Sequence, residues 1–211
     1  KQLSYNNIMD ADSALACVRE FDEPACVIVK HANPCGAATG KDLLNVYNRA
    51  FNADSQSAFG GIIAFNRTCT KEIAGAITSV FVEIVLAPSF EPEALDVFKK
   101  KKNLRVLEIG NFGKRANKLE IRNVDGGLLV QGVDTKILSK DDLTVVTKAQ
   151  PSGLEIETAL FTWKVLRHAK SNGILIAKDN TTVGLGAGQV SRVDAVHMAL
   201  RKGSENVMGG V

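Results

Sequence analysis

The strongest constraint on this chain is a set of short apolar runs, each cut off by a charge, a proline or a glycine. Ala25-Cys26-Val27-Ile28-Val29 follows Pro24 and stops at Lys30. Gly61-Ile62-Ile63-Ala64-Phe65, the stretch Phe81 to Ala87 before Pro88, and Ile174-Leu175-Ile176-Ala177 repeat the pattern. Runs this short read as strands covered on both faces. Helix-periodic segments alternate with them, which predicts an α/β fold. With 211 residues, 45% hydrophobic and 23% charged, the chain is neither disordered nor collagen-like. It has room for one large or two small domains. A net charge of +3 is too small to argue for nucleic acid or an anionic membrane. No apolar run approaches the ~18–20 residues of a membrane span, and Lys1-Gln2-Leu3-Ser4-Tyr5 is no signal peptide. A cytosolic location is expected. Cys17, Cys26, Cys35 and Cys69 lack C-x-x-C spacing, so neither a disulfide framework nor a zinc site is expected.

Along the chain, Asp10 or Asp12 caps an expected helix ending near Phe21, and Lys30 to Gly36 reads as a loop because of Pro34 and Gly36. Helices are expected over Leu43–Phe51, Thr70–Thr78 and Pro92–Lys100, with a strand over Arg105–Ile109. Residues 110–140 are polar and glycine-rich, hold a hairpin around Leu128–Val133, and read as a junction. The second half resumes at Leu143–Thr147 and continues with a helix over Leu154–Ala169. A glycine-rich turn over Gly184–Gly188 and a helix capped by Ser191 follow.

Lys30-His31, at the carboxyl end of a buried strand, is the most informative pair, since open α/β sheets place ligand-binding residues there. A neighbouring cation favours the proton-accepting form of an imidazole, and a lysine can hold a developing oxyanion. Equally, a lysine and a histidine at a strand end can simply be solvated. His168 and His197 read as surface or edge residues. His31-Ala32-Asn33-Pro34-Cys35 echoes a zinc deaminase signature, but Asn33 stands where that chemistry needs Glu, and Ala38 where it needs Cys. Cys35 is a weak nucleophile candidate. Gly184-x-Gly186-x-Gly188 differs from the G-x-G-x-x-G dinucleotide fingerprint, leaving anion contact and a structural turn both open. Asn7, Asn33 and Asn172 are loop amides able to orient a carboxamide, or ordinary turn residues. The run Lys99–Lys102 reads as a solvated helix end.

Taken in order, Lys30-His31-x-x-Pro34-x-Gly36, Ser57-x-Phe59-Gly60, Ala87-Pro88, Val146-Thr147-Lys148 and Gly184-x-Gly186-Ala187-Gly188-Gln189-x-Ser191-Arg192 resemble the AICAR formyltransferase part of the bifunctional purine biosynthesis enzymes, whose other part is IMP cyclohydrolase. The resemblance covers essentially the whole chain. It implies a pair of cytidine-deaminase-like α/β/α subdomains without zinc, the first over 1–140 and an incomplete second over 141–211. It implies transfer of the formyl group of 10-formyltetrahydrofolate to the 5-amino group of AICAR in IMP synthesis. His31 would be the general base. Lys30 would stabilise the tetrahedral intermediate or help protonate the departing folate nitrogen. Asn172 would position the substrate carboxamide and His31. By the same resemblance Asn7, Gly60, Glu83 and Arg192 contact the nucleotide, Val193 faces the folate, no catalytic metal takes part, and a homodimer forms the sites at its interface. Glu83 stands where some members have Asp. An Arg-Tyr segment before Lys1, and a Phe-Phe-Pro-Phe-Arg-Asp segment and a C-terminal Arg after Val211, complete the family's site. Residues 1–211 are therefore expected to be a fragment with at most weak activity alone. The rival readings are a nucleotide-binding oxidoreductase using the glycine turn and a non-catalytic dimerisation module.

Overall fold

A computed structural model describes residues 2–113 and 119–211. Nine strands and seven α-helices are described: α1 Tyr5–Val18, β1 Ala25–Lys30, β2 Asn33–Thr39, α2 Leu43–Ala53, α3 Ser55–Ala58, β3 Ile62–Phe65, α4 Lys71–Thr78, β4 Ile84–Ala87, α5 Pro92–Lys99, β5 Arg105–Glu108, β6 Leu119–Val124, β7 Gly127–Gly132, α6 Gly153–Leu166, β8 Ile174–Lys178, β9 Thr181–Gly186 and α7 Arg192–Gly203. Seven strands form one mixed sheet in the order β5-β4-β3-β1-β2-β9-β8, and β6-β7 stand apart as a hairpin. β3, β4 and β5 are parallel, while β1 is antiparallel to both its neighbours.

The expected α/β class is what the chain adopts. Alternate residues of β1 enter opposite cores, as the pleat requires. Cys26 and Ile28 meet Val46, Tyr47, Ile73 and Phe98 from α2, α4 and α5. Val27 and Val29 meet Ala14, Val18, Phe161 and Val165 from α1 and α6. β8 and β9, from the second half of the chain, extend the same sheet beside β2. Among the described residues no helix is long and apolar enough to cross a membrane.

Two local expectations change. Helix α1 begins at Tyr5, not near Asp10, because Ser4 and Asn7 form a reciprocal capping box in which each side chain accepts the other's backbone N–H at 3.2 Å. Asp10 lies buried inside the helix, and its Oδ1 accepts the Ala32 N–H at 2.8 Å. Lys30 to Gly36 is not an open loop. The chain reverses over His31 and Ala32 alone, at φ of +50° and +58°, and re-enters the sheet as β2. Positive φ at both turn residues matches the twist of a two-residue hairpin. A bulge at Cys35, between the Val29–Pro34 and Ile28–Gly36 pairs, accommodates the proline, which has no N–H for the ladder. Leu143–Thr147, where the second half resumes, lies outside any strand and follows a 3-10 turn over Lys140–Asp142.

Candidate functional site

The sheet order gathers the expected site residues on one rim. Because β1 and β9 run opposite to β2, β3, β4, β5 and β8, that rim presents the carboxyl ends of the first two and the amino ends of the other five. Lys30 ends β1 and His31 follows it. Gly60 precedes β3, Glu83 precedes β4, and Asn172 precedes β8. Arg192 and Val193 open α7 just beyond β9, and Asn7 reaches Glu83 from α1.

Lys30 Nζ donates to the Phe59 carbonyl at 2.8 Å and the Gly60 carbonyl at 3.0 Å. An ammonium has three N–H donors, so one remains for a ligand oxygen. Gly60 itself takes φ +68°, a backbone state that an L side chain strains. On the same side, Asn7 Nδ2 donates to Glu83 Oε2 at 2.9 Å, and Arg105 sits 3.6 Å from that oxygen. The Arg105 side chain is 9% exposed, whereas that of Glu83 is 38% exposed, so the pair is open on the carboxylate side.

His31 is held by its neighbours in the turn. Asp10 fixes Ala32, and Asn33 Oδ1 accepts the Lys170 N–H at 3.0 Å. The Lys170–Asn172 segment in turn pairs with Gly188–Val190. Gly188 N–H donates to Lys170 O at 2.7 Å, and Asn172 Nδ2 donates to the Gln189 and Val190 carbonyls at 3.0 Å each. Asn172 thus anchors the lead-in to α7, whose Ser191 cap accepts the Asp194 N–H. Its amide hydrogens are spent on that lead-in, and its carbonyl oxygen is the group left to meet a ligand.

Lys30 and His31 open onto a cleft of about 310 Å³ shared with Cys35, Ser57, Gln189 and Lys202. Pockets of ~300–1,000 Å³ are the usual size for small-molecule sites. Burial, reinforced by the Asp54 charge, pushes the Cys35 thiol up to about 12, so it offers no thiolate nucleophile at neutral pH. The glycines Gly184 and Gly186 do not form a phosphate loop. They lie in β9, where added Cβ atoms would collide with the Ala199 and Ala195 carbonyl oxygens of α7, so they serve close helix-on-strand packing. Of the three, Gly188 alone needs its freedom, at φ +68° with only Lys170 Cβ, at 3.9 Å, near an added Cβ. His168 is no free surface group. Its ring is 3.1 Å from Glu20 Oε1, beside Arg167, which also donates to the Asp134 and Lys136 carbonyls. Among the described residues no cluster of three or more His, Cys, Asp or Glu could hold a metal.

The rim does not bring every candidate together. From β4 to β8 there are five inter-strand steps of ~4.8 Å each, so Glu83 and Asn172 lie ~24 Å apart, farther than one small ligand reaches. Arg192 and Val193 are exposed and outside the cleft lining. Sequence reasoning missed Asp10, Asp54, Lys202 and Arg105. Asp54-x-x-Ser57 carries a helix-cap signal, but nothing local points from it to Lys202.

These features define an α/β protein with a lysine-lined cleft at one end of a mixed sheet. The family model described as "AICARFT/IMPCHase bienzyme" matches residues 1–202, and the chain belongs to that family. Among solved structures it is similar to Acinetobacter baumannii RibD, form 1, at 14% identity and a TM-score of 0.32, covering 46% of this chain and 33% of that one. Form 2 matches at 15% identity and 0.33, covering 48% and 34%. The chain spans about a third of the RibD chains it matches. Likeness this slight carries no argument about fold or function.

Proposed function

We propose that this chain is the formyltransferase portion of an AICAR formyltransferase/IMP cyclohydrolase, moving the formyl group of 10-formyltetrahydrofolate to the 5-amino group of AICAR in purine synthesis. Family membership supports the reaction class. The observation that carries the site is Lys30, pinned by the Phe59 and Gly60 carbonyls at the mouth of the cleft it shares with His31.

The chemistry follows from these groups. An amine conjugated to a carboxamide is a poor nucleophile, so its attack on the formyl carbon needs a base and close positioning. As the new C–N bond forms, His31 accepts the amine proton. The free N–H of Lys30 faces the developing oxyanion. The bond from the formyl carbon to the folate nitrogen then breaks, and the proton is returned to that nitrogen, giving formamido product and tetrahydrofolate. Asn172 holds the wall beside His31. Asn7, Gly60, Glu83 and Arg192 are assigned to the nucleotide and Val193 to the folate. Since Glu83 and Asn172 stand far apart on one rim, one bound nucleotide meets both only if two chains combine, which favours the homodimer. A cytosolic enzyme follows from the same reading.

In the full-length protein, His31→Ala is expected to lower formyl transfer by ~10²-fold or more, with AICAR still bound. Unchanged turnover would point to the non-catalytic module. Binding of NAD(P) in place of AICAR, measured by calorimetric titration, would point to the oxidoreductase, a reading the packing role of Gly184 and Gly186 already disfavours.

A further inference from the structure

A second lysine, Lys202, lines the cleft. Lys202, on the last turn of α7, places Nζ 2.6 Å from Asp54 Oδ2 and 3.4 Å from Ser57 Oγ. Asp54 sits where α2 passes into α3. Its other oxygen accepts the Ser57 N–H at 3.0 Å, and its own carbonyl accepts the Ala58 N–H at 2.9 Å. Its side chain is 12% exposed. Burial pushes the Asp54 carboxyl up, but the hydrogen bonds from Lys202 and Ser57 outweigh that and hold it below the ordinary range, so it is charged at neutral pH.

Asp54 therefore orders α3, and α3 runs directly into Phe59 and Gly60, whose carbonyls hold Lys30. The two ends of the ion pair are mounted on rigid supports. Helix α7 rests on the backbone of β9 at Gly184 and Gly186, and α2 rests on β2 at Gly36, where an added Cβ would collide with the Ala50 carbonyl oxygen. α3 is the short element between these supports, and it leads straight into the two carbonyls.

We infer that the Asp54–Lys202 pair is a positioning device for Lys30, setting the Phe59 and Gly60 carbonyls so that one ammonium N–H stays aimed into the cleft. The inference rests on the proposed formyltransferase reading for its kinetic consequence, though not for its geometry. Lys202 and Asp54 are positioning residues and not catalytic ones.

The test uses the full-length protein. Lys202→Met removes the charge at similar length, and Asp54→Asn weakens the pair while keeping a side chain able to cap α3. Each is expected to lower kcat ~10-fold or more, as small misplacements at a reacting centre do, with KM for both substrates changed less than ~2-fold. Lys202→Arg should restore most of the loss. A second readout needs no turnover. With an isotope label at the lysine Cε atoms, the Lys30 resonance, assigned through Lys30→Arg, should move in Lys202→Met and in Asp54→Asn. An unchanged kcat and an unmoved Lys30 signal would overturn the inference, as would a raised KM at constant kcat, which marks a direct substrate contact. If the unaltered protein transfers no formyl group, the functional reading falls, and the Lys30 resonance alone decides the positioning. If Lys202→Met does not fold, Asp54→Asn carries the same measurements.

Discussion

Val27, Ile28 and Val29 in β1 are completely buried, whereas Leu128, Leu129 and Val130 in β7 are 60%, 58% and 55% exposed. Both stretches are aliphatic and both are strands. β1 has a hydrogen-bonded neighbour on each side and a helical layer on each face. β7 has β6 and, among the described residues, no apolar cover. Pairing places Leu119, Ile121, Leu128 and Val130 on one face of that ribbon and Glu120, Arg122 and Gln131 on the other. A two-stranded ribbon alone is marginal in water, so an aliphatic strand pattern reports that a face wants cover and not who supplies it.

Four measurements sharpen or break this contrast. The largest effect belongs to the central sheet. Ile63→Ala, at a fully buried site, is expected to cost ~2–5 kcal/mol in urea unfolding, whereas Ile121→Ala should stay within ~0.5 kcal/mol. An Ile121 cost near that of Ile63 would show the hairpin buried in an assembly. Next is Asn66, buried beside β3, which accepts the Ala25 N–H and donates to the Phe21 and Glu23 carbonyls. Asn66→Ala strands these groups and should cost ~1–3 kcal/mol, against a negligible change for Asn123→Ala in the exposed hairpin. Gly186→Ala, which forces a Cβ onto the Ala195 carbonyl, should cost ~1–3 kcal/mol. Gly188→Ala, strained in φ alone, should cost less.

The smallest effect is electrostatic. Burial pushes the Glu20 carboxyl up, but the hydrogen bond with His168 and the Arg167 charge outweigh it, so its folded value lies below the ordinary 4.5. A lowered folded value contributes stability above pH 4.5 that is lost as pH falls through the folded value. The melting-temperature gap between the protein and Glu20→Gln should be full at pH 7 and close progressively below about pH 4.5. A gap that stayed constant into acid would mean that Glu20 acts through packing alone.

Much of the candidate site could be proposed from the sequence because its landmarks are local. Lys30 and His31 follow a short apolar run that reads as a covered strand, and Ser191 is the cap directly before α7. The turn was less legible. Pro34 and Gly36 look like loop residues, and only the bulge at Cys35 and the approach of α2 at Gly36 show them to be sheet. The glycines of β9 misled in the same way, since a missing side chain reads alike whether it makes room for a phosphate or for a helix.

Periodicity and chain breakers act over a handful of residues, and they sufficed to determine that this chain alternates buried strands with helices and ends one strand on a lysine and a histidine. The tertiary structure alone decided that Asn7 meets Glu83 across 76 residues and Lys202 meets Asp54 across 148. Those meetings depend on the order and direction in which strands join the sheet. That order is set by many weak contacts summed over the whole core, and no short stretch of the chain carries it.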